Sequence, residues 1–289
     1  MPKPVSAAQV KEHAKMIGAD LCGIASCATL NAYPPDPSHP QTPERIDPEA
    51  KSAVVVGKHV PLGGYMVDHL RCYQHLDQLV IRRTDRLAFE MSLWLDGLGY
   101  PSAPIVQSET SPDLKRGSYG YLSFRHVAIE AGMGSLGIDL NLLTPEYGPR
   151  VYVSVLLTHA DLEPDARTTE QLCIGETCSR CLYACPPDAV KQFALDKRGC
   201  AQFAQPHGMN HIYRYAKGIL DARDRDERLE YFDTKQWDLF AITQGLVRLI
   251  GAFGACPRCI EVCPVGDDYL RYLKRRHKDI PEQTPQRVA

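Results

Sequence analysis

The chain has 289 residues, enough for one large domain or two of moderate size. Hydrophobic residues make up 44% of it and charged residues 24%, which is typical of a soluble protein with a packed core. The net charge of −2 gives no indication of nucleic-acid binding, and the sequence lacks the roughly 18–20-residue apolar run that would indicate a membrane helix. Because the first residues carry neither an apolar signal core nor a twin-arginine pair, we predict a cytoplasmic protein without a membrane partner.

The first half of the chain mixes helix and strand patterns. Ser6 is a candidate N-cap for a helix over residues 6–18, because Val10, Ala14 and Ile17 recur at helical spacing. A longer helical pattern lies within Tyr65–Leu98. Short apolar runs predict strands at Asp20–Ala25, Ala53–Gly57, Ala103–Gln107 and Arg150–His159. This order predicts an α/β or α+β layered fold.

A glycine motif follows, Gly132-Met-Gly134-Ser-Leu-Gly137, and it matches G-x-G-x-x-G. A dinucleotide-binding loop must open a helix that faces the pyrophosphate. Here Asp139–Gly148, the segment that should form this helix, contains a proline and a glycine. The motif also requires an acidic residue about 20 residues further on. The nearest candidate, Asp161, lies beyond a predicted strand. We therefore disfavour a nucleotide site and interpret the glycines as positions where the backbone passes close to a flat, bulky group.

Eight of the eleven cysteines lie between Cys173 and Cys263. They form the runs Cys173-x4-Cys178-x2-Cys181-x3-Cys185-Pro and Cys256-x2-Cys259-x3-Cys263-Pro, with Cys200 between them. Bacterial ferredoxins use such runs, in which the Cys before Pro serves the other cluster. Two [4Fe-4S] clusters need eight thiolates, so the sequence predicts an electron-transfer unit.

Two other uses of these cysteines are weighed against clusters. Zinc sites use Cys-x2-Cys pairs but need neither the third cysteine nor the following proline. Disulfides would imply an oxidising compartment, which the beginning of the chain does not indicate. Cys22 and Cys27 lie far from both runs, and we interpret them as small buried apolar side chains.

The ferredoxin-like part also carries a predicted helical insertion over residues 205–255, with helices at Asn210–Arg223 and Trp237–Phe253. A basic helical segment is predicted after it, at Leu270–Lys278.

Ala131–Gly137 (AGMGSLG), Leu142–Arg150 (LLTPEYGPR) and the paired cysteine runs, in this order, resemble the family of epoxyqueuosine reductases and reductive dehalogenases. These proteins are corrinoid-dependent iron–sulfur reductases, and the LLTPEYGPR segment is more similar to the dehalogenase branch. The resemblance implies a nitroreductase-like cobalamin-binding domain over residues 1–165, with the cobalamin held base-off. It also implies a ferredoxin-like domain with two [4Fe-4S] clusters over residues 166–289.

The resemblance also implies roles for individual residues. One cluster would be held by Cys173, Cys178, Cys181 and Cys263, and the other by Cys185, Cys200, Cys256 and Cys259. Cobalamin contacts would come from Gly132, Gly134, Ser135, Leu136, Gly137, Tyr147 and Arg150. One departure concerns Cys173, because the family usually has its first cysteine where Gly175 stands here.

A proton donor is expected near the substrate. Epoxyqueuosine reductases have an aspartate thirteen residues before the Ala-Gly pair, and Ser118 stands at that place here. Dehalogenase-type enzymes use a tyrosine supported by a cation, which Tyr119 or Tyr121 could match with Arg125 or Lys115. The alternative is that both tyrosines only pack against the corrin or the core.

These features predict a cobalamin- and [4Fe-4S]-dependent reductase that cleaves a carbon–heteroatom bond of a small organic substrate, as dehalogenases do. Its electrons would come from a separate ferredoxin, flavodoxin or flavin reductase. One alternative is epoxyqueuosine reduction in tRNA maturation, with tRNA as the partner. Another is an electron-transfer or corrinoid-activating protein with no substrate of its own.

Overall fold

The computed structural model of the protein describes residues 2–107, 109–115, 119–269 and 276. The strands are β1 (Leu21–Ser26), β2 (Ser52–His59), β3 (Ser102–Pro104), β4 (Ser135–Leu136), β5 (Leu142–Leu143), β6 (Val151–Thr158), β7 (Val190–Lys191) and β8 (Ala194–Leu195). The α-helices are α1 (Ala7–Met16), α2 (Cys27–Ala32), α3 (Leu70–Gly97), α4 (Phe124–Glu130), α5 (Arg180–Tyr183), α6 (Lys197–Ala204), α7 (Met209–Asp221), α8 (Arg225–Thr234), α9 (Gln236–Arg248) and α10 (Arg258–Glu261). Short 3-10 turns lie at Pro43–Arg45, Leu62–Tyr65, Pro112–Leu114 and Gly175–Thr177. The helix predicted at Leu270–Lys278 lies outside the described residues except for Arg276.

A four-stranded sheet in the order β1-β2-β6-β3 organises the first half of the chain. Every neighbouring pair in it is antiparallel. In the centre, Val54 pairs with Ile24 on one side and with Leu156 on the other. The predicted α/β (α+β) fold class is thus confirmed, in its α+β form.

The sheet is covered on both faces, because successive side chains of a strand point to opposite sides. Val54 and Val56 pack with α1 and α3 in one core cluster, whereas Val55 packs with α4 in the other. This arrangement explains why β2 reads as an unbroken apolar run: six consecutive residues, Ser52–Gly57, are buried.

Helix α1 is stabilised by an N-terminal cap, and helix α3 by burial of one of its faces. Ser6 caps α1 as predicted, since its hydroxyl accepts a hydrogen bond from the Gln9 backbone while the Gln9 side chain accepts one from the Ser6 backbone. Helix α3 buries Leu87 and Met91 completely in the core. Leu79 and Phe89 of the same helix lie outside the face that packs on the sheet, and they are 48% and 51% exposed.

The cysteine-rich half is built from short elements around the cysteines, with α7, α8 and α9 as an appendage. Sequence patterns predicted helices at 210–223 and 237–253, but they missed α8. Helix α9 ends earlier than predicted because Leu249, at φ 61, leaves the helical conformation. Within the described part of the chain, no helix has the length and apolar character needed to span a membrane.

Replacing Leu87 by Ala should lower the free energy of unfolding by about 2–5 kcal/mol, because it removes a fully buried side chain from the contact between α3 and the sheet. The matched control is Leu79→Ala on the same helix, which should change it by no more than about 0.5 kcal/mol. Urea unfolding followed by circular dichroism measures both. Equal effects of the two substitutions would contradict this assignment of the core face.

Candidate functional site

Four of the predicted cluster cysteines line one cavity. Cys173, Cys178, Cys181 and Cys263 contribute to its wall, together with Pro264. The opposite wall comes from the β4–β5 hairpin, through Gly137, Ile138, Asp139 and Leu143. The longer loop after Cys173 turns at Gly175, whose φ is 70, and this turn carries the chain back to Cys178. The structure therefore brings Cys173 to the same cavity as the other three, despite its unusual spacing.

The remaining four cysteines form a second group. Burial raises the pKa of the Cys200 thiol, and the neighbouring Cys185 raises it further. Burial likewise raises the pKa of Cys259, with further contributions from Asp139, Cys256 and Cys200. These electrostatic couplings place Cys185, Cys200, Cys256 and Cys259 close together.

The two groups are neighbours. Cys181 of the first group also contributes to the raised pKa of Cys259 in the second. Burial raises the pKa of Cys181 to about 12, and the Asp139 carboxylate acts in the same direction. Without a metal these thiols are therefore protonated at neutral pH, and iron binding must release their protons.

The spacing of the thiols bears on the zinc alternative. Within residues 2–107, 109–115, 119–269 and 276, no group of three or more His, Cys, Asp or Glu side chains is arranged to hold a single metal ion. A four-cysteine zinc site places all its sulfurs about 2.3 Å from one atom. A cluster of four irons and four sulfides is a larger body, so thiolates spread around a cavity fit it better than they fit zinc.

Arg150 fixes the loop that carries Cys263. Its side chain is fully buried, and its guanidinium donates to the carbonyl groups of Ile260 (3.4 Å), Cys263 (3.0 Å) and Val265 (2.6 Å). It also pairs with the Asp268 carboxylate, through Nε at 2.7 Å and through Nη2. Together these bonds use the five N–H donors of an arginine. Arg150 thus supports the loop that carries Cys263, and its predicted cobalamin contact stays a prediction.

Two glycines of the motif allow a close approach to the protein's own backbone, and the cobalamin contacts expected from the motif stay a prediction. A Cβ atom at Gly134 would lie 1.8 Å from the Leu143 carbonyl oxygen, and one at Gly132 would lie 2.5 Å from the Ala166 carbonyl oxygen. The motif opens the β4–β5 hairpin rather than a helix, which agrees with the exclusion of a dinucleotide site. Gly137 lines the cavity of the first cysteine group.

The other predicted cofactor contacts have protein partners as well. The Ser135 hydroxyl accepts a hydrogen bond from the Leu172 backbone at 3.0 Å, and Leu136 packs against the core. Tyr147 stacks on His59, with ring centroids 5.0 Å apart, and His59 Nδ1 lies 2.6 Å from the Asp20 carboxylate. The structure thus gives all three residues contacts within the protein.

The predicted proton donors lie in different surroundings. Tyr119 donates to the Asp36 carboxylate at 2.9 Å, a partner that the sequence did not indicate. Tyr121 packs against the core, as the alternative interpretation holds. Arg125 donates to the Leu140 carbonyl, and Ser118 lies outside the described residues.

Helix α3 supports the second group through residues that no sequence pattern singled out. The buried Gln74 side chain donates to the Ala204 carbonyl at 2.6 Å and accepts from the Gly251 backbone at 2.8 Å. Asp77, also buried, accepts from the Ala255 backbone at 3.4 Å, one residue before Cys256. Both are polar residues on a helix face, and only the tertiary structure shows what they bind.

The chain is similar to epoxyqueuosine reductases. It is 28% identical to that of Bacillus subtilis over 222 residues, which cover 66% of this chain and 53% of the relative. A shorter match of 123 residues to the Bacillus cereus protein is 35% identical and covers 41% of this chain and 29% of the relative. The chain thus spans about half the length of the Bacillus subtilis relative. No family model matches it.

Solved structures share the fold. An epoxyqueuosine reductase bound to an epoxyqueuosine-modified tRNA stem loop superimposes with a TM-score of 0.53 at 21% identity, over 89% of this chain and 64% of that one. A reductive dehalogenase described as B12-dependent gives 0.53 at 16% identity, over 84% of this chain and 36% of that one. The predicted resemblance is thus confirmed at the level of fold, whereas the curated relatives above match the epoxyqueuosine branch.

Replacing Arg150 by Gln should destabilise the first cysteine group. The substitution leaves Asp268 without its cation and three carbonyl groups without their donor, which should cost on the order of 3–5 kcal/mol. Iron content after anaerobic reconstitution and unfolding in urea measure the effect. The control is Arg86→Gln, which removes an exposed ion pair with Glu90 and should change neither quantity appreciably. If Arg150→Gln bound as much iron as the unchanged protein, the supporting role would be wrong.

Proposed function

We propose that this protein is a reductase that uses two [4Fe-4S] clusters and cobalamin to cleave a carbon–heteroatom bond. The observation that carries the proposal is the pair of neighbouring four-cysteine groups, each assembled from both cysteine runs. Two adjacent clusters provide a path for single electrons into a reductive site. The similarity to reductases in sequence and fold supports the same conclusion.

The cluster ligands follow from the two groups. Cys173, Cys178, Cys181 and Cys263 would hold the first cluster, and their shared cavity supports that assignment. Cys185, Cys200, Cys256 and Cys259 would hold the second. Within this arrangement Cys263 crosses from the second run to the first cluster, and Cys185 crosses the other way, as in ferredoxins.

Cobalamin enters the proposal through the relatives. When bound, it would supply a cobalt centre that is reduced by the clusters. The residues that the resemblance assigns to its binding, several of which also have contacts within the protein, stay the proposed ones: Gly132, Gly134, Ser135, Leu136, Gly137, Tyr147 and Arg150. An external ferredoxin, flavodoxin or flavin reductase would deliver the electrons.

The favoured substrate is the epoxide of a modified tRNA nucleoside. The curated relatives match this chemistry, and one structure of similar fold holds an epoxyqueuosine-modified tRNA stem loop. Removal of an epoxide oxygen takes two electrons and two protons and yields an alkene and water. Two clusters that each pass one electron at a time can supply the electrons.

A halogenated aromatic compound is the second candidate substrate. Two observations favour it: dehalogenases share the fold, and Ser118 stands where the resemblance places a catalytic aspartate. One similar Bacillus subtilis structure is described as having an aspartate catalytic loop swung out of the active site. The missing aspartate therefore requires another proton source under the epoxide proposal.

Anaerobically reconstituted protein should contain about eight iron atoms and one cobalamin with a base-off absorption spectrum. Cys173→Ser should lower the iron content to roughly half, because it removes one ligand of the first cluster. Cys72→Ser, which alters an exposed cysteine outside both groups, should retain full iron. Iron near four with zinc present, or protein that retains no cobalamin, would refute the proposal.

Turnover assays separate the substrate candidates. The loaded protein with a chemical reductant should convert an epoxyqueuosine-containing tRNA stem loop to the alkene product, detected by mass spectrometry. The same preparation should not release bromide from 3-bromo-4-hydroxybenzoic acid, the ligand of a dehalogenase of similar fold. The opposite result would favour dehalogenation. Reduction of cobalamin without turnover of either compound would favour an electron-transfer or activating role.

A further inference from the structure

We propose that His39 is the proton donor of this reductase, and that Asp36 and Tyr119 are the residues that position it. This inference rests on the proposed function. Asp36 and His39 come from one segment, residues 33–48, and Tyr119 comes from a segment further along the chain; the three side chains meet at one carboxylate.

The contacts define the arrangement. One oxygen of Asp36, Oδ2, accepts a hydrogen bond from the Tyr119 hydroxyl at 2.9 Å and lies 3.3 Å from His39 Nδ1. The other oxygen, Oδ1, accepts from the Ser38 backbone at 3.0 Å. The rings of His39 and Tyr119 meet edge to face, with centroids 5.8 Å apart. Asp36 is therefore held on both oxygens.

In sequence, this site adjoins the position at which the resemblance expects the acid. Tyr119 directly follows Ser118, the position that corresponds to the aspartate of epoxyqueuosine reductases. On its other side, Lys197 of α6 lies 5.5 Å from the centroid of the Tyr119 ring. The same helix carries Cys200, a proposed ligand of the second cluster. Through Tyr119, the carboxylate of Asp36 is thus linked to the helix that carries Cys200.

Further hydrogen bonds join the two loops. The Gln41 side chain donates to the Gly120 carbonyl at 2.7 Å. Arg45 donates to the Asp113 carboxylate at 2.6 Å, and within its own segment it also donates to the Pro40 carbonyl at 3.0 Å. The segment that carries Asp36 and His39 is therefore fixed to the segment that carries Tyr119 at more than one point.

Hydrogen-bond geometry favours His39 over Tyr119 as the donor. The Tyr119 hydroxyl directs its proton at the Asp36 carboxylate, so its role is to hold that carboxylate in place. His39 turns Nδ1 to Asp36, which leaves Nε2 as the nitrogen that can give a proton to the substrate. The His39 side chain is 28% exposed, so water can reprotonate it between turnovers.

The reaction balances with this donor. Two electrons from the external donor, passed by the clusters, break the two carbon–oxygen bonds of the epoxide and form the carbon–carbon double bond. His39 gives one proton to the departing oxygen, and solvent gives the second, so that water leaves. His39 then takes a proton from solvent and returns to its starting state.

The direct test is His39→Gln in the loaded protein. We expect kcat for the epoxyqueuosine stem loop to fall roughly 100-fold or more, because a glutamine cannot transfer a proton. Iron content, cobalamin content and the absorption spectrum of reduced cobalamin should equal those of the unchanged protein. The control is His159→Gln, which alters a similarly half-buried histidine paired with Asp47 outside this cluster, and it should leave kcat unchanged. Unchanged kcat in His39→Gln would overturn the proposal.

A second measurement does not depend on activity. The pKa of the Asp36 carboxyl is lowered, and the hydrogen bond from Tyr119 contributes most to this shift. In cofactor-free protein, Tyr119→Phe should raise the pKa of the Asp36 carboxyl, followed by NMR, whereas Tyr121→Phe should not, since that ring packs on the core. An unchanged Asp36 pKa in Tyr119→Phe would overturn the positioning role.

The two tests distinguish the failure of this inference from the failure of the proposed function. If the unchanged protein binds no cobalamin, the proposed function fails, and the proton donor fails with it. If it binds both cofactors and turns over the stem loop while His39→Gln is equally active, only the proton-donor assignment fails.

Discussion

The buried guanidinium of Arg150 is the interaction on which the first cysteine group depends. It follows the turn at Tyr147–Pro149 and precedes β6, so it belongs to the sheet-containing half of the chain. All of its partners belong to the other half: three carbonyl groups around Cys263 and the carboxylate of Asp268. A charged group this deeply buried is tolerated only when its donors are satisfied and its charge is neutralised. The loop that carries Cys263 therefore takes its conformation from the neighbouring half of the molecule.

The glycines around Arg150 serve the same contact. A Cβ atom at Gly148, where φ is 54, would lie 2.0 Å from the Val265 carbonyl oxygen. One at Gly266, where φ is 105, would lie 2.5 Å from the Gly148 backbone nitrogen. Only glycine at both positions lets the two backbones approach so closely. The segments Thr144–Arg150 and Cys263–Asp268 thus form one structural unit, although they are more than a hundred residues apart in sequence.

Patterns within a few residues predicted much of this structure, whereas long-range contacts were not predictable. The β-branched run of β2 and the cap at Ser6 are local signals, and both elements form where the sequence indicates. The family resemblance also implied that Cys173, Cys178, Cys181 and Cys263 belong together, and these four line one cavity. The glycine motif was harder to interpret from sequence. A glycine that lets two backbone segments approach closely cannot be distinguished there from a glycine that makes room for a ligand. The carbonyl oxygen of Leu143, which occupies the space at Gly134, is visible only in the folded protein.

The same limit applies to the predicted proton donors. The sequence places the cations Lys115 and Arg125 near Tyr119, and it gives no sign of the carboxylate to which the Tyr119 hydroxyl donates. Folding brings Asp36 from 83 residues away to its hydroxyl. The proton source that we propose, His39 beside the Asp36 carboxylate, is therefore assembled at a junction of two distant segments rather than within one motif. A search for motifs along the chain cannot find such a site, because its members become neighbours only in the folded protein.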